Sequence, residues 1–313
     1  MATTADYLSQ LQADKQALVN NLVEKGVEAT SEETFTSLVP KVLNIQSGGD
    51  PETEASLKSM IDDTLGANVT KLPKGITKIG NSAFYGKSNL GAIELSDEIT
   101  EISDNAFYAC NNLTLTRLPN NLTKIGTTAF GYCTALDLEY LPDTLVTIGG
   151  SAFTQCIKLA LKQLPSSLTQ LPNNVFSYCE RLTLTSIPES ITSVGSSCFS
   201  YCKGITEMTF HSGITSLEQR VFSYCSNLTE MTCLGNITAI QTQAFTNCSN
   251  LAKFTLPNVT GVPTLGSNAF ANTKIAKEKT GYIYVPDSLI ENFKTASGWS
   301  TYADQIKGIS ELA

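Results

Sequence analysis

Residues 113–133 read LTLTRLPNNLTKIGTTAFGYC, and the pattern returns every 23 residues along most of the chain. Its phenylalanine recurs at Phe84, Phe107, Phe130, Phe153, Phe176, Phe199, Phe222 and Phe245, then at Phe270 after a step of 25. A cysteine follows three positions later from Cys110 to Cys248. Aliphatic residues stand five and eight positions before each phenylalanine, as Ile125 and Leu122 do before Phe130. Apolar columns at one fixed period define a solenoid, in which each repeat buries its apolar face against its neighbours.

Within one coil, Leu113, Leu115 and Leu118 are expected to point inward on a strand. Pro119 ends it, having no N–H for a ladder. Asn120 and Asn121 supply turn chemistry. Leu122 and Ile125 return to the core, Gly126 turns the chain, and a short helical segment carrying Ala129, Phe130 and Cys133 closes the coil. From Ile205 on, the L-x-L strand gives way to one with Met208, Met231 and Phe254 three residues after its first aliphatic.

Outside the repeat, Leu8, Leu11, Leu18 and Leu22 follow helical spacing, widened by Val19 and Val23. Thr30 and Glu33 form a capping box for a second helix, which Pro40 interrupts. This gives a helical hairpin over 1–46, a linker over 47–51, an N-terminal solenoid cap over 52–67, the solenoid over 68–273 and a C-terminal cap over 274–313. In the last segment Tyr282 to Val285 reads as a strand, Asp287 as the cap of a helix to Thr295, and Trp299 and Tyr302 as a cover for the final coil.

Residues 1–65 hold 4 Lys and 11 Asp or Glu, a net of −7, whereas the remainder holds 17 basic and 18 acidic residues, a net of −1. A neutral solenoid without a basic stripe is not a nucleic-acid surface. No apolar run reaches the roughly 18 residues of a membrane span, so no membrane partner is expected. The start, MATTADYLSQLQADK, has no basic region followed by an apolar stretch, and synthesis in the cytosol without general export is the corresponding expectation. Seven of the nine cysteines belong to the repeat column and read as free, buried small hydrophobes.

The repeat resembles the BspA-like leucine-rich repeats, which read roughly L-x-x-[IL]-x-[IL]-P-x-x-[VIL]-x-x-I-G-x-x-A-F-x-x-C. Residues 182–202 (LTLTSIPESITSVGSSCFSYC) and 90–110 (LGAIELSDEITEISDNAFYAC) carry the likeness. It implies an α/β leucine-rich-repeat solenoid with short parallel strands, without the asparagine ladder of ordinary leucine-rich repeats. Residues 6–45 are similar to N-terminal segments of phage and prophage tail-associated proteins. That second resemblance implies a docking module, attached to a virion-type assembly or self-associating. The leading expectation is therefore a phage-type structural or host-recognition protein in the virion tail. The alternative is a cell-surface adhesin of the BspA-like class.

No motif for catalysis, cofactor or metal is visible: there is no GxSxG elbow, phosphate loop or ligand cluster. The single histidine, His211, falls in a turn slot. A binding surface for a protein or surface glycan has two candidates. One is the outward strand set Arg117, Glu139, Tyr140, Lys162, Gln163, Glu207, Glu230 and Lys253, which varies from coil to coil as recognition faces and ordinary solvent positions both do. The other is Tyr132, Tyr178, Tyr201 and Tyr224, all in the slot before the repeat cysteine, where an aromatic stripe would bind a partner or stiffen the turn. Deleting residues 1–50 is expected to leave a cooperative solenoid that no longer self-associates or attaches to an assembly. Size-exclusion chromatography with light scattering checks this, and retained association would move the docking surface to the repeats.

Overall fold

The structure, a computed structural model, describes residues 76–312 and, ahead of them, Gln16, Val19, Asn20, Val23 and Thr30. Gln16, Val19, Asn20 and Val23 are helical, with Val19 buried and Val23 exposed. The expected helical hairpin, linker and N-terminal cap otherwise lie outside the described residues.

Two-residue strands form one strip along the solenoid: β1 (Lys78–Ile79), β2 (Glu101–Ile102), β3 (Lys124–Ile125), β4 (Thr147–Ile148), β5 (Gln170–Leu171), β6 (Ser193–Val194), β8 (Ser216–Leu217), β10 (Ala239–Ile240) and β12 (Thr264–Leu265). Within three runs, β1 to β4, β5 with β6, and β8 with β10 and β12, neighbours on this strip pair in parallel, as Ile79 opposite Ile102 and Ile102 opposite Ile125. The offset is 23 residues except for 25 between β10 and β12. The inward residue of each strand is the aliphatic five places before the phenylalanine, as the sequence implied.

A second strip becomes a continuous sheet only late in the chain. There β7 (Glu207–Phe210), β9 (Glu230–Cys233), β11 (Lys253–Thr255), β13 (Tyr282–Val285) and β14 (Ile306–Gly308) pair in the order β14-β13-β11-β9-β7. Earlier coils carry only isolated bridges such as Ala92 with Thr114. Proline is the physical reason. Leu234 N–H donates to the Phe210 carbonyl at 2.8 Å, and at the corresponding place the earlier coils have Pro119, Pro142, Pro165 and Pro188, which have no N–H.

The segment carrying the phenylalanine differs from the expected short helix. It is a series of turns in which alternate amides leave the coil. Asn105, Phe107 and Ala109 donate to the carbonyls of Thr127, Ala129 and Gly131 in the next coil at 2.7–2.9 Å, while Ala106, Tyr108 and Cys110 donate to carbonyls three residues back. Left-handed backbone at Asn105 (φ 55°) and Ala109 (φ 57°) swings those amides outward. A true helix would direct every amide along its own axis and leave adjacent coils unlinked at this corner.

Eight consecutive ring pairs then stack along the column, with centroids 5.0–6.0 Å apart and interplanar angles of 14° or less. Each column thiol donates to the carbonyl of the phenylalanine one coil back, as Cys133 Sγ does to Phe107 at 3.0 Å. Cysteine suits the slot because it is small and apolar yet supplies this donor. All nine cysteines are free and buried.

Asparagine rungs also occur, although the sequence argued against an asparagine ladder. Asn112, Asn227 and Asn250 each donate to a carbonyl 24 residues back at 2.7–2.9 Å. Asn227 and Asn250 are consecutive, but Asn112 stands apart from them, because Ala135, Lys158, Arg181 and Gly204 hold that slot in the intervening coils.

At the C-terminal end, Trp299 is fully buried, donates Nε1–H to the Pro263 carbonyl at 2.7 Å and meets Phe293 edge-on. Tyr302 lies edge-on to Phe270, the last ring of the column. Helix α1 (Ile290–Thr295) follows a single 3-10 turn. Asp287 does not cap it, contrary to expectation; its carboxylate accepts from the Ser310 hydroxyl at 3.0 Å and so ties this segment to the end of β14.

Removing one ring from the middle of the column leaves a cavity between two stacked neighbours. Phe176→Ala is expected to cost about 3–5 kcal/mol, and Lys162→Ala, on the surface, less than about 1 kcal/mol. Chemical denaturation of both variants decides it, and equal losses would contradict the column as the spine.

Candidate functional site

Among the outward strand positions, four are paired with one another in charge and Arg117 is paired with Asp97. Lys162 Nζ meets Glu139 Oε2 at 2.5 Å and Lys253 meets Glu230 at 3.1 Å, each across one coil. Arg117 makes a two-pronged contact with Asp97 at 2.6 and 3.1 Å. The guanidinium, helped by the Asn120 amide, holds the Asp97 carboxyl below its ordinary value of 3.8. That staple therefore contributes at neutral pH and is lost as pH falls through the carboxylate range. On the short-strand strip, Glu101 sits between Lys78 and Lys124 at 3.1 Å each. Burial alone would raise the Glu101 carboxyl, but the two ammonium groups outweigh it and lower it.

Exposed pairs of this kind contribute only about 0–1 kcal/mol each. Their arrangement is what coil-to-coil register needs, and it leaves little uncompensated charge for a partner. Glu207 stands opposite Glu230, whose charge Lys253 meets, so the row ends in one acidic residue. Gln163 is exposed. Tyr140 is 53% exposed, with the Lys162 ammonium 5.6 Å from its ring centre.

The tyrosines form two groups, not one stripe. Tyr178, Tyr201 and Tyr224 stack with centroids 4.0 and 4.3 Å apart, nearly parallel. Gln155 occupies the slot between Tyr132 and Tyr178, so Tyr132 turns the other way and meets Tyr108 at 5.4 Å, tilted by 59°. Tyr108 in turn stacks on Tyr85 at 4.9 Å. Sequence reading missed Tyr85 and Tyr108 because they stand one place earlier in their coils; an aromatic in the adjacent slot was the available signal. Gly131 makes the crossing possible, since a side chain there would press on the Tyr108 ring.

Each of Tyr132, Tyr178, Tyr201 and Tyr224 has left-handed backbone, with φ between 61° and 62°. The turn geometry described above imposes this, and other coils meet it with Gly86, Ala109, Gln155, Asn247 or Asn272. Left-handed backbone costs an ordinary L-residue about 1–2 kcal/mol and asparagine less. Stacking returns about 0.5–1.5 kcal/mol per pair. Burial and the flanking hydroxyls of Tyr178 and Tyr224 push the Tyr201 phenol up to about 12, so the central ring stays neutral at physiological pH.

His211 lies in a turn, as expected. Its Nδ1 accepts from Gly213 N–H at 3.0 Å and its Nε2 donates to the Ile191 carbonyl at 2.9 Å, so both nitrogens are used structurally. Among the described residues, no three His, Cys, Asp or Glu side chains come together as a metal site would require. Nor is any described helix long and apolar enough to cross a membrane.

Parallel strands of fixed 23-residue offset around a stacked apolar column define a leucine-rich-repeat solenoid. Six copies of the repeat described as the BspA type Leucine rich repeat region match residues 63–183 and 169–289, and the chain belongs to that family. Solved structures with similarity include a leucine-rich repeat protein of T. pallidum, at 26% identity over 60% of this chain and 79% of that one, TM-score 0.43. Another is from Bacteroides ovatus, at 21% identity over 76% and 83%, TM-score 0.34. A third is a leucine-rich cell surface protein of Faecalibacterium prausnitzii, at 23% identity over 74% and 77%, TM-score 0.39. Comparison with curated proteins gives no match.

Burial raises the Cys110 thiol to about 12 and also raises those of Cys133, Cys156 and Cys198. Thiolate, the reactive form, is therefore scarce at neutral pH. Native protein is expected to resist a thiol reagent at pH 8, and denatured protein to show nine reactive groups without reductant. Fewer than nine would reveal a disulfide and contradict the free column.

Proposed function

We propose that this chain is a non-enzymatic recognition protein of the bacterial cell surface, holding a protein partner on the edge formed by Tyr178, Tyr201 and Tyr224. Surface adhesins occur in the family to which it belongs, and that membership supports the adhesin reading over a virion-tail one. The family match begins at residue 63 and does not touch residues 6–45, on which the tail reading rests.

The observation that carries the site is the use of tyrosine at left-handed positions. Backbone preference alone would favour glycine or asparagine there, the residues found at Gly86, Asn247 and Asn272, and stacking returns only part of the difference. Aromatic side chains held at a backbone cost, with outer edges in water, suit a binding role. Stacking buries the ring faces, so the ladder offers hydroxyls and ring edges. That favours the mixed polar and apolar surface of a protein over a sugar ring stacked on the tyrosines, since their faces are already taken up by one another. Tyrosine is also prominent among the residues that dominate protein interfaces. The paired charges Glu139–Lys162 and Glu230–Lys253 then keep coil register.

Replacing all three by asparagine (Tyr178→Asn, Tyr201→Asn, Tyr224→Asn) is expected to keep the fold, since asparagine tolerates the backbone. Binding of the purified protein to bacterial and epithelial cell surfaces is expected to fall by about tenfold or more. Lys162→Ala should leave binding intact. Undiminished binding by the triple variant would overturn the assignment.

A further inference from the structure

On the short-strand strip, each coil joins the next through two recurrent backbone bonds. Thr123 N–H donates to the Thr100 carbonyl at 2.9 Å and Gly126 N–H to the Ile102 carbonyl at 2.7 Å; Thr238 with Thr215 and Gln241 with Leu217 do the same. Strip pairing breaks at two joints, between β4 and β5 and between β6 and β8. At the first, Pro172 stands where the second donor would be. At the second the donors exist: Thr215 and Glu218 both have N–H groups, and the Thr192 and Val194 carbonyls are the matching acceptors. Neither bond forms.

This joint coincides with the change of repeat pattern, where Phe210 and His211 replace the Ile187–Pro188 type of strand ending. Phe210 is fully buried and packs on Phe222 at 5.6 Å, while the His211 bond to Ile191 ties the two coils further back along the turn. A groove of about 320 Å³ opens along the strip between the two coils.

We propose that this groove is a binding site for a neutral sugar unit, independent of the tyrosine edge. Four open backbone groups, two donors and two acceptors, face a polar cleft, where water meets them until ligand hydroxyls of matching geometry replace it. The side chains around them are polar of both kinds: the exposed Gln170 and Asn173 carboxamides, the Ser193 hydroxyl, and Glu218, which accepts from Ser216 Oγ at 2.7 Å. No lysine or arginine lines the groove and one carboxylate does, which disfavours an anion. No aromatic side chain lines it either, which disfavours a planar ring. Alternating donors and acceptors at this scale match the hydroxyls of a pyranose, and the volume lies at the small end of ligand clefts.

The test is a titration of the full chain with D-glucose, D-galactose and N-acetylglucosamine to about 50 mM, a range set by millimolar dissociation constants. Backbone amide chemical shifts provide the readout. A saturable shift of the Thr215 and Glu218 amides with at least one sugar is expected, while the paired amides of Thr123 and Gly126, at a closed joint of the same strip, stay in place. Ser193→Tyr, at the rim, should abolish the response and leave the rest of the spectrum unchanged. No saturable shift with any of the three sugars overturns the proposal. So does an equal response to inorganic phosphate or to a short extended peptide, which would make the groove an anion or peptide site. The wild-type titrations decide the matter even if the tyrosine variant fails to fold.

Discussion

The alternate outward turn of amides beside each phenylalanine is the constraint on which the rest of the structure depends. Once Asn105, Phe107 and Ala109 donate to the next coil, the coil spacing is fixed near that of paired strands. Ring stacking at 5.0–6.0 Å follows from that spacing. The same geometry brings each column thiol under a phenylalanine carbonyl, and that carbonyl then accepts both the local cysteine amide and the next coil's thiol, as Phe107 does. Hydrogen bonding, packing and coil register thus arise at one corner.

From this corner the surface chemistry also follows. Left-handed backbone two residues after each phenylalanine turns that residue's own side chain outward, and the chain fills the slot with glycine, alanine, amide or tyrosine. Where tyrosines are consecutive they stack; where Gln155 intervenes the row ends and Tyr132 is taken up by a different aromatic pair. The candidate partner edge is therefore a consequence of the turn geometry. On the other faces, charges between coils are largely matched, so the flat strips hold register more than they advertise charge.

Much of this was legible in the sequence because the period is exact in residue count and each column has one chemical character. Phe176, Cys179 and Leu171 could be assigned inward from spacing alone, and all are buried. The closing turn was harder, because A-F-x-x-C is compatible with helix and the left-handed slots hold residues as different as Ser197, Arg220 and Gln243. Ion pairing of Glu139 with Lys162 and of Glu230 with Lys253 shows in the sequence only when positions 23 residues apart are compared, because neither partner is near the other along the chain. The open joint at Thr192 and Thr215 leaves no mark in the period at all. Only the switch from Ile187–Pro188 to Phe210–His211 hints at it.

The most direct measurement is the scalar coupling across hydrogen bonds, read by NMR between amide nitrogen and carbonyl carbon. A coupling is expected from the Phe107 amide to the Ala129 carbonyl, with equivalent couplings from Phe130 to Ala152 and from Phe222 to Ala244. Couplings from these amides to carbonyls four residues back would instead mean that the corner is helical, and would contradict the coil-to-coil linkage on which the fold and its tyrosine edge are built.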